Sequence, residues 1–489
     1  MKEQAHESAL FISLVISYFC ALKRIVMTLI KSISGIRGTI GGNIGEALTP
    51  LDIVKFASAY CTWLKNKYPG KRCKVVVGRD ARLSGTMVRN VVCGALLSCG
   101  VDVVDAGLAS TPTTEIAVTF EKADGGIILT ASHNPRQWNA LKLLNEKGEF
   151  LTAEDGARML EFAEKEDFTF VDVDSLGKIA EKDFTMAHIE AVLADPLVDR
   201  EAIKNAGFKA VLDAINSVGG ITMPILLEKL GVECIKLNCE PTGNFAHNPE
   251  PLPANLVDLS QTVKNSGANL GISVDPDVDR LAFICEDGTP FGEEYTLVSV
   301  ASYVLEKNPG PTVSNLSSTR ALRDVTEAAG QNYYPAAVGE VNVTTKMHEV
   351  GAVIGGEGNG GVIYPGLHHG RDAYMGVALF LSNLAHKKLK MIQLRDSYPQ
   401  YYISKNRIEV SDPKMVDSIL AKVAETYKDL NPLTIDGVKI DFEQNRSWAQ
   451  LRKSNTEPII RLYCEAPDKS SAEDLAGTII KLVDSVIKG

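Results

Sequence analysis

The sequence has no CxxC pair, no strongly basic stretch, no long segment of biased composition and no apolar run long enough to span a membrane. Each absence removes a class of protein. Nine cysteines, odd in number and scattered, make neither a disulfide framework nor a zinc-ligand spacing, which points to a reducing compartment, the cytoplasm. A net charge of −10 argues against the basic face that nucleic acids and anionic membranes require. A chain of this charge that handles phosphate must concentrate its cations locally. One apolar run, ALFISLVISYFCAL at residues 9–22, falls short of the roughly 20 residues of a spanning helix. Its positive charges, Lys23 and Arg24, follow it, whereas a secretory signal carries them in front. Residues 1–26 therefore read as an upstream extension outside the fold, with a weak membrane anchor as the lesser alternative. A folded domain begins at Met27.

At 489 residues the chain exceeds one compact core and implies roughly three or four domains. Residues 74–105, KVVVGRDARLSGTMVRNVVCGALLSCGVDVVD, read as strand, polar turn, amphipathic helix, glycine and strand. Residues 209–237 repeat that order and 312–338 repeat it more loosely, with the helices ended by Gly100, Gly231 and Gly330. Strands alternating with helices imply α/β layers. The expected fold class is α/β, with three related α/β domains and a smaller C-terminal α+β domain. In the last, LTIDGVKIDF and PIIRLYCEA are strands, and Ser471 and Asp474 have capping-box spacing at the start of a closing helix. The expected divisions are 27–180, 181–287, 288–397 and 398–489.

Four stretches carry chemistry. LTASHNPRQWNALKLL, residues 129–144, follows an apolar strand and sets Ser132 on a loop at a strand end, where reacting groups of α/β folds gather. Taken alone, SHNP reads more simply as a local serine turn. Neighbouring side chains on an extended loop point apart, so His133 is not expected to pair with Ser132. GISVDPDVDRLAFICEDG puts Asp275, Asp277 and Asp279 at alternate positions, and carboxylates this close repel unless a cation holds them. Oxygen ligands suit Mg²⁺ or Ca²⁺. A calcium-binding EF-hand is excluded, because Arg280 stands at loop position six, where glycine is required, and an apolar strand follows.

VIGGEGNGGVIYPG, residues 353–366, contains a GxGxxG spacing, but strand and not helix follows, so it is no dinucleotide fingerprint. A plain hairpin fits it, and so does a loop whose Glu357 and Asn359 hydrogen-bond sugar hydroxyls. LRKSNTEPIIRLY, residues 451–463, packs Arg452, Ser454, Asn455 and Thr456 ahead of Pro458. That composition suits an anion nest, although a solvated turn would look similar.

With all four in this order, the chain from about Met27 onward resembles the α-D-phosphohexomutase family of phosphoglucomutases, phosphomannomutases and phosphoglucosamine mutases. The resemblance implies four domains with mixed sheets around a central cleft. It implies a phosphoryl group carried by Ser132, one Mg²⁺ per chain held by Asp275, Asp277 and Asp279 together with the serine, and Arg280 against the phosphate. Glu357 and Asn359 would read the sugar, and Arg452, Ser454, Asn455 and Thr456 would grip the substrate's own phosphate. Arg37, the segment GRDARLSG and Lys142 also match. Three departures bear on substrate choice: Asn359 where serine is common, Ala140 for a glycine, and Glu340 where some members carry histidine.

The implied reaction interconverts hexose 6-phosphate and hexose 1-phosphate through a 1,6-bisphosphate, which also serves as activator. Lys142 and His133 are the candidates for moving the sugar-hydroxyl proton, and Lys142 would need a pKa lowered by cations such as Arg37 and Arg280. VGEVNVTTKM and GEGNGG look closer to the phosphoglucosamine mutase branch, so glucosamine 6-phosphate is the expected substrate. Phosphoglucomutase or phosphomannomutase activity is the alternative. A Mg²⁺-dependent sugar phosphatase and a non-enzymatic calcium- or sugar-binding protein are more distant ones. The expected partner is a small phosphosugar, with no nucleic acid and no membrane, and the chain is expected to act as a monomer or homodimer.

Overall fold

Three of the four sheets are built to one plan in the computed structural model, which describes residues 27–32, 35–410, 412, 414–453 and 459–488. In the first, Gly125–Leu129, Lys74–Arg79 and Asp102–Leu108 lie side by side and parallel, and Trp138–Leu144 returns antiparallel against Gly125–Leu129. In the second, Leu270–Val274, Lys209–Asp213 and Glu233–Leu237 are parallel, and Leu281–Cys285 returns against Leu270–Val274. In the third, Ile354–Glu357, Thr312–Asn315 and Tyr333–Ala336 are parallel, and Gly361–Ile363 returns against Ile354–Glu357. The strand–helix–strand repeat read from the sequence supplies two adjacent strands of each sheet, joined by helices Gly85–Ser98, Gly219–Lys229 and Ala321–Ala328. Val75–Val77 and Ile127–Leu129 are buried at every position, the continuous apolar pattern of strands covered on both faces.

Each antiparallel return creates a tight turn at the end of a buried strand. Residues 130–137, 275–280 and 358–360 are these three turns. The first sheet is widened by Ile30–Ser32 and Gly35–Thr39 beyond Trp138–Leu144, and by Ile179–Glu181, which carries it just past residue 180. The second and third sheets share one continuous core. Helix Ala373–Lys387 is buried over nearly its whole length, and Phe380 stacks on Phe283 with ring centroids 3.9 Å apart. The extension 1–26, with its apolar run, lies outside the described residues. Among the described residues no helix is long and apolar enough to cross a membrane.

The fourth sheet is wholly antiparallel, in the order Tyr402–Glu409, Ile459–Ala466, Ser447–Lys453 and Val438–Phe442. Helices Met415–Thr426 and Lys469–Lys488 cover one face through Val416, Ile419, Ile479 and Val483. The closing helix starts earlier than its capping-box spacing predicts. Asp468 accepts hydrogen bonds from the backbone N and the hydroxyl of Ser471, at 2.9 and 2.7 Å, so Asp468 and not Ser471 supplies the cap.

Polar contacts dock this domain on the third. Lys439 Nζ donates to Leu316 O at 2.8 Å and Ser317 donates to Gln450 at 2.6 Å. Glu465 Oε1 accepts from Arg320 N at 2.8 Å and from Trp448 Nε1 at 2.7 Å. Burial pushes the Glu465 carboxyl up to about 7 from an ordinary 4.5. Between those pH values the folded chain keeps a proton that the unfolded chain has lost. The contribution of Glu465 to stability is therefore fullest below about pH 4.5 and is lost as pH rises through about 7, on the order of 3 kcal/mol in all. Glu465→Gln, which stays neutral, is expected to raise the melting temperature relative to wild type at pH 8 and to leave it nearly unchanged at pH 5. Calorimetry at the two pH values reads the difference.

Candidate active site

Strand Gly125–Leu129 ends at Thr130, whose hydroxyl donates to Asp80 Oδ2 at 2.6 Å and accepts from Ser132 N at 2.9 Å. These bonds hold Ser132 at φ +47°, a left-handed conformation that side-chain-bearing residues adopt at a cost of about 1–3 kcal/mol. Arg82, fully buried and paired with Asp80 at 3.0 Å, clamps the same loop from the other side. Its guanidinium donates to the backbone carbonyls of Ser132, Asn134, Pro135 and Trp138. The sequence predicts that Ser132 and His133 diverge; the left-handed turn instead brings Ser132 Oγ within 3.4 Å of His133 Nδ1. That is a long contact. Burial, reinforced by Arg280, pushes the His133 pKa down to about 2, so the ring is neutral.

The second turn arrives from 143 residues away in sequence. Ser132 Oγ donates to Asp275 Oδ2 at 2.7 Å, and Asp275 Oδ1 accepts from the backbone N of Asp279 and Arg280. Asp275, Asp277 and Asp279 are all inaccessible to solvent, and each offers an oxygen within 4.8 Å of the others. Thr111, first residue of helix Thr111–Phe120, donates its backbone N to Asp277 O and its hydroxyl to Asp277 Oδ2, at 2.9 and 2.6 Å. Asp277 Oδ1 and Asp279 Oδ1 are buried with no hydrogen-bond partner among the described residues. A buried anionic oxygen left this way costs several kcal/mol, and a hard divalent cation among the three carboxylates removes the cost. The donor set fits such an ion.

Protein cations offset part of the charge. Lys142 Nζ lies 2.7 Å from Asp277 Oδ2 and 3.2 Å from Asp279 Oδ2, and Arg371 Nη2 lies 2.7 Å from Asp279 Oδ2. Burial works against the charge of Asp279, but Arg371, Lys142 and Arg280 outweigh it and hold its carboxyl far below the usual range. Asp275 moves the opposite way, raised by burial and by its two acidic neighbours. Lys142 corrects an expectation. Burial disfavours its ammonium, but Asp277 and Asp279 more than compensate, and its pKa rises. Its contacts are the carboxylates and not Arg37 or Arg280, so it holds its proton. Arg280 Nε stands 4.0 Å from Asp275 Oδ2 and from Asp279 Oδ1, without a hydrogen-bond partner among the described residues.

The third turn docks on the second. Gly360, at φ +86°, packs so closely on Leu281 that a Cβ would lie 2.1 Å from Leu281 O. It sets Glu357 in place. Glu357 Oε1 accepts from Asn315 Nδ2 and Gly339 N, and Oε2 accepts from Arg371 Nη1 at 2.7 Å and from Asn359 Nδ2 at 3.4 Å. Glu340 accepts from Arg371 N and Nε at 2.9 and 3.0 Å. Arg371 thus joins three carboxylates from three separate stretches, Asp279, Glu340 and Glu357.

The fourth domain contributes a row of arginines. Arg407, Arg461 and Arg452 pair directly across adjacent strands, on the sheet face opposite the core. Arg452 Nη2 lies 3.3 Å from Asp436, and its Nε has no partner among the described residues. Ser454, Asn455 and Thr456 lie outside the described residues. Arg37, on strand Gly35–Thr39, has its pKa lowered by burial and then by Arg461, which places the two cations in each other's field across the first and fourth domains.

The structure thus brings Ser132, His133, Lys142, Arg280 and the three aspartates together, and ties Glu357 and Asn359 to them through Arg371. Arg452 stands apart from that knot, whereas Arg37 lies close enough to act on His133. Sequence reasoning missed Arg371, Thr111 and Arg461, and it singled out GRDARLSG without seeing that Asp80 and Arg82 in it clamp the serine loop. For Arg371 the available signal was HHGRDA, a charged pair placed between a buried hairpin and an apolar helix.

Comparison with known proteins gives the family. Profiles described as phosphoglucomutase/phosphomannomutase alpha/beta/alpha domains I, II and III match residues 29–170, 186–288 and 292–402, and the C-terminal domain profile matches 407–482. A phosphoglucomutase/phosphomannomutase of Thermococcus kodakarensis is 37% identical over 92% of this chain and 99% of its own. A phosphoglucosamine/phosphogalactosamine mutase of Sulfurisphaera tokodaii is 33% identical over 91% of this chain and 98% of its own. A solved phosphoglucomutase/phosphomannomutase family protein from Burkholderia thailandensis shares the fold at a TM-score of 0.80, with 24% identity over 94% of this chain and 97% of that one. Four domain profiles in order, and relatives above 30% identity along nearly the full length, establish that this chain belongs to the phosphoglucomutase/phosphomannomutase family and is a phosphohexose mutase.

Proposed function

We propose that the chain interconverts hexose 6-phosphate and hexose 1-phosphate by way of phospho-Ser132 and a bound 1,6-bisphosphate, with glucosamine 6-phosphate as its substrate. The observation that carries this reading is the 2.7 Å approach of Ser132 Oγ to Asp275 within a buried acidic trio. An ordinary loop serine has no use for that surrounding. The name of the Sulfurisphaera relative supports the amino sugar. The name of the Thermococcus relative supports the second reading, glucose or mannose phosphate.

In the first transfer the Oγ–P bond of phospho-Ser132 breaks as a bond forms from phosphorus to the C1 oxygen of a 6-phosphosugar, and the proton lost by the C1 hydroxyl ends on the departing Oγ. In the second, the 6-phosphoryl group of the turned-over bisphosphate returns to Ser132 Oγ, and the sugar keeps phosphate at C1. A divalent cation on Asp275, Asp277 and Asp279, Mg²⁺ by its preference for oxygen ligands, supplies charge neutralisation at the transferring group. Arg280, with its unpaired Nε facing the same corner, grips a phosphoryl oxygen. Lys142, held as an ammonium, suits donation of a proton to the sugar oxygen that departs in the second transfer, whereas neutral His133 orients by hydrogen bonding. Arg452 and the loop after it bind the phosphate that is not reacting, and Glu357 and Asn359 meet the sugar ring. Positioning and fixed charge do most of the work in phosphoryl transfer. A hexose 1,6-bisphosphate activates by rephosphorylating Ser132 when an intermediate escapes.

A coupled assay on glucosamine, glucose and mannose 6-phosphates, with and without hexose 1,6-bisphosphate, is expected to form the 1-phosphate, fastest from the amino sugar, and to show activation. Release of inorganic phosphate without any 1-phosphate would replace this reading with a phosphatase. Ser132→Ala is expected to reduce turnover to background. Arg452→Ala removes a charged hydrogen bond of about 1.5–3 kcal/mol, so KM for the 6-phosphate should rise about 10- to 100-fold while Ser132 still accepts label from bisphosphate. Arg371→Met leaves three buried carboxylates short of a cation, and urea unfolding should show a loss of about 3–5 kcal/mol.

A further inference from the structure

Glu149, His348 and His369 take no part in this chemistry, yet they converge. Glu149 follows strand Trp138–Leu144 of the first domain, His348 lies in the last turn of helix Glu340–Val350 of the third, and His369 precedes helix Ala373–Lys387. One ligand atom from each lies within 4.8 Å of the other two. His348 Nε2 is 2.8 Å from Glu149 Oε1, His369 Nδ1 is 3.9 Å from the same oxygen, and the two imidazoles stack with centroids 3.8 Å apart and planes 22° from parallel. Two protonated rings this close would repel. A neutral imidazole in this arrangement has a lone pair to offer a cation.

We propose that Glu149, His348 and His369 form a second metal site, selective for a borderline divalent transition ion of the Zn²⁺ type, with solvent in the fourth position. Two imidazoles and one carboxylate suit Zn²⁺, whereas the all-oxygen aspartate trio suits Mg²⁺. Bonds of about 2.0–2.1 Å in a tetrahedral site put ligand atoms about 3.3 Å apart. Drawing the three atoms in from 4.8 Å takes a turn of the exposed His348 side chain and exchanges its hydrogen bond to Glu149 for a shared ion. The site clasps the first domain to the third. The His348 helix begins at Glu340, and His369 lies two residues before Arg371, so the ion braces both supports of that arginine without touching an aspartate.

The test uses the full-length protein, stripped with chelator and then saturated with Mg²⁺ so that the aspartate trio is filled. Calorimetric titration with Zn²⁺ is expected to show one equivalent bound per chain, and Co²⁺ in its place is expected to develop the visible absorption of a four-coordinate ion. His348→Ala and, separately, Glu149→Gln are each expected to weaken Zn²⁺ binding at least tenfold while circular dichroism stays that of the wild type. Zn²⁺ bound with unchanged affinity by both variants overturns the assignment, because the ion then sits elsewhere. Absence of Zn²⁺ binding to the Mg²⁺-saturated wild type overturns it as well and leaves the trio a hydrogen-bonded clasp.

Discussion

Five carboxylates, those of Asp275, Asp277, Asp279, Glu340 and Glu357, are buried within one site, and each taken from water costs several kcal/mol unless a cation or donor meets it. Arg371 answers three of them and Lys142 two, with Asp279 shared between the cations. Within these five, the remaining deficit falls on Asp277 Oδ1 and Asp279 Oδ1, which have no hydrogen-bond partner among the described residues; both oxygens of Glu115, buried in the field of Glu340, Lys142 and Asp279, are likewise without one. Part of the surplus of anionic oxygen lies in the aspartate trio, one member of which, Asp275, accepts from the Ser132 hydroxyl. A site with its charges fully paired would be quiet. This one is left short of positive charge at the aspartate trio, whose oxygens suit a divalent cation.

The repeated sheet plan explains how groups so far apart in sequence reach that place. Each α/β sheet ends its buried strand in a tight antiparallel return, and the three returns carry Ser132, the aspartates and Glu357. The second and third units are fused by a common core, so the aspartate and Glu357 turns sit on one body. The first is joined to them by Thr111 on Asp277 and by Lys142 on Asp277 and Asp279. Hydrogen bonds within the site thus double as contacts between domains, and a change in its charge is felt at the domain boundary.

The fourth domain differs in architecture and in the sign of its contribution. The sheet face that docks on the third domain also carries Arg407, Arg461 and Arg452 in register, and Arg461 faces the field of Arg37. For a chain of net charge −10, like charges set in line across adjacent strands are unfavourable on their own and become favourable against an anion.

Much of this was legible in the letters because the relevant signals are local. Strand–helix–glycine repeats, aspartates at alternate positions, a glycine hairpin with the wrong sequel for a dinucleotide, and the arginine before SNTEP all lie within short stretches. They gave the fold class and the family without any tertiary knowledge. Arg371 was not legible, since a single Arg-Asp pair before a helix gains its meaning only from three carboxylates that reach it from elsewhere. The protonation of Lys142 and the nearness of Ser132 to His133 were misjudged for a related reason. Both depend on which groups face one another after folding and on a left-handed turn imposed by Thr130 and Arg82. The sequence by itself determined which chemical groups this protein owns and the order in which they come. Only the packing of three distant turns decided their charge states and distances, because buried electrostatics is set by neighbours in space.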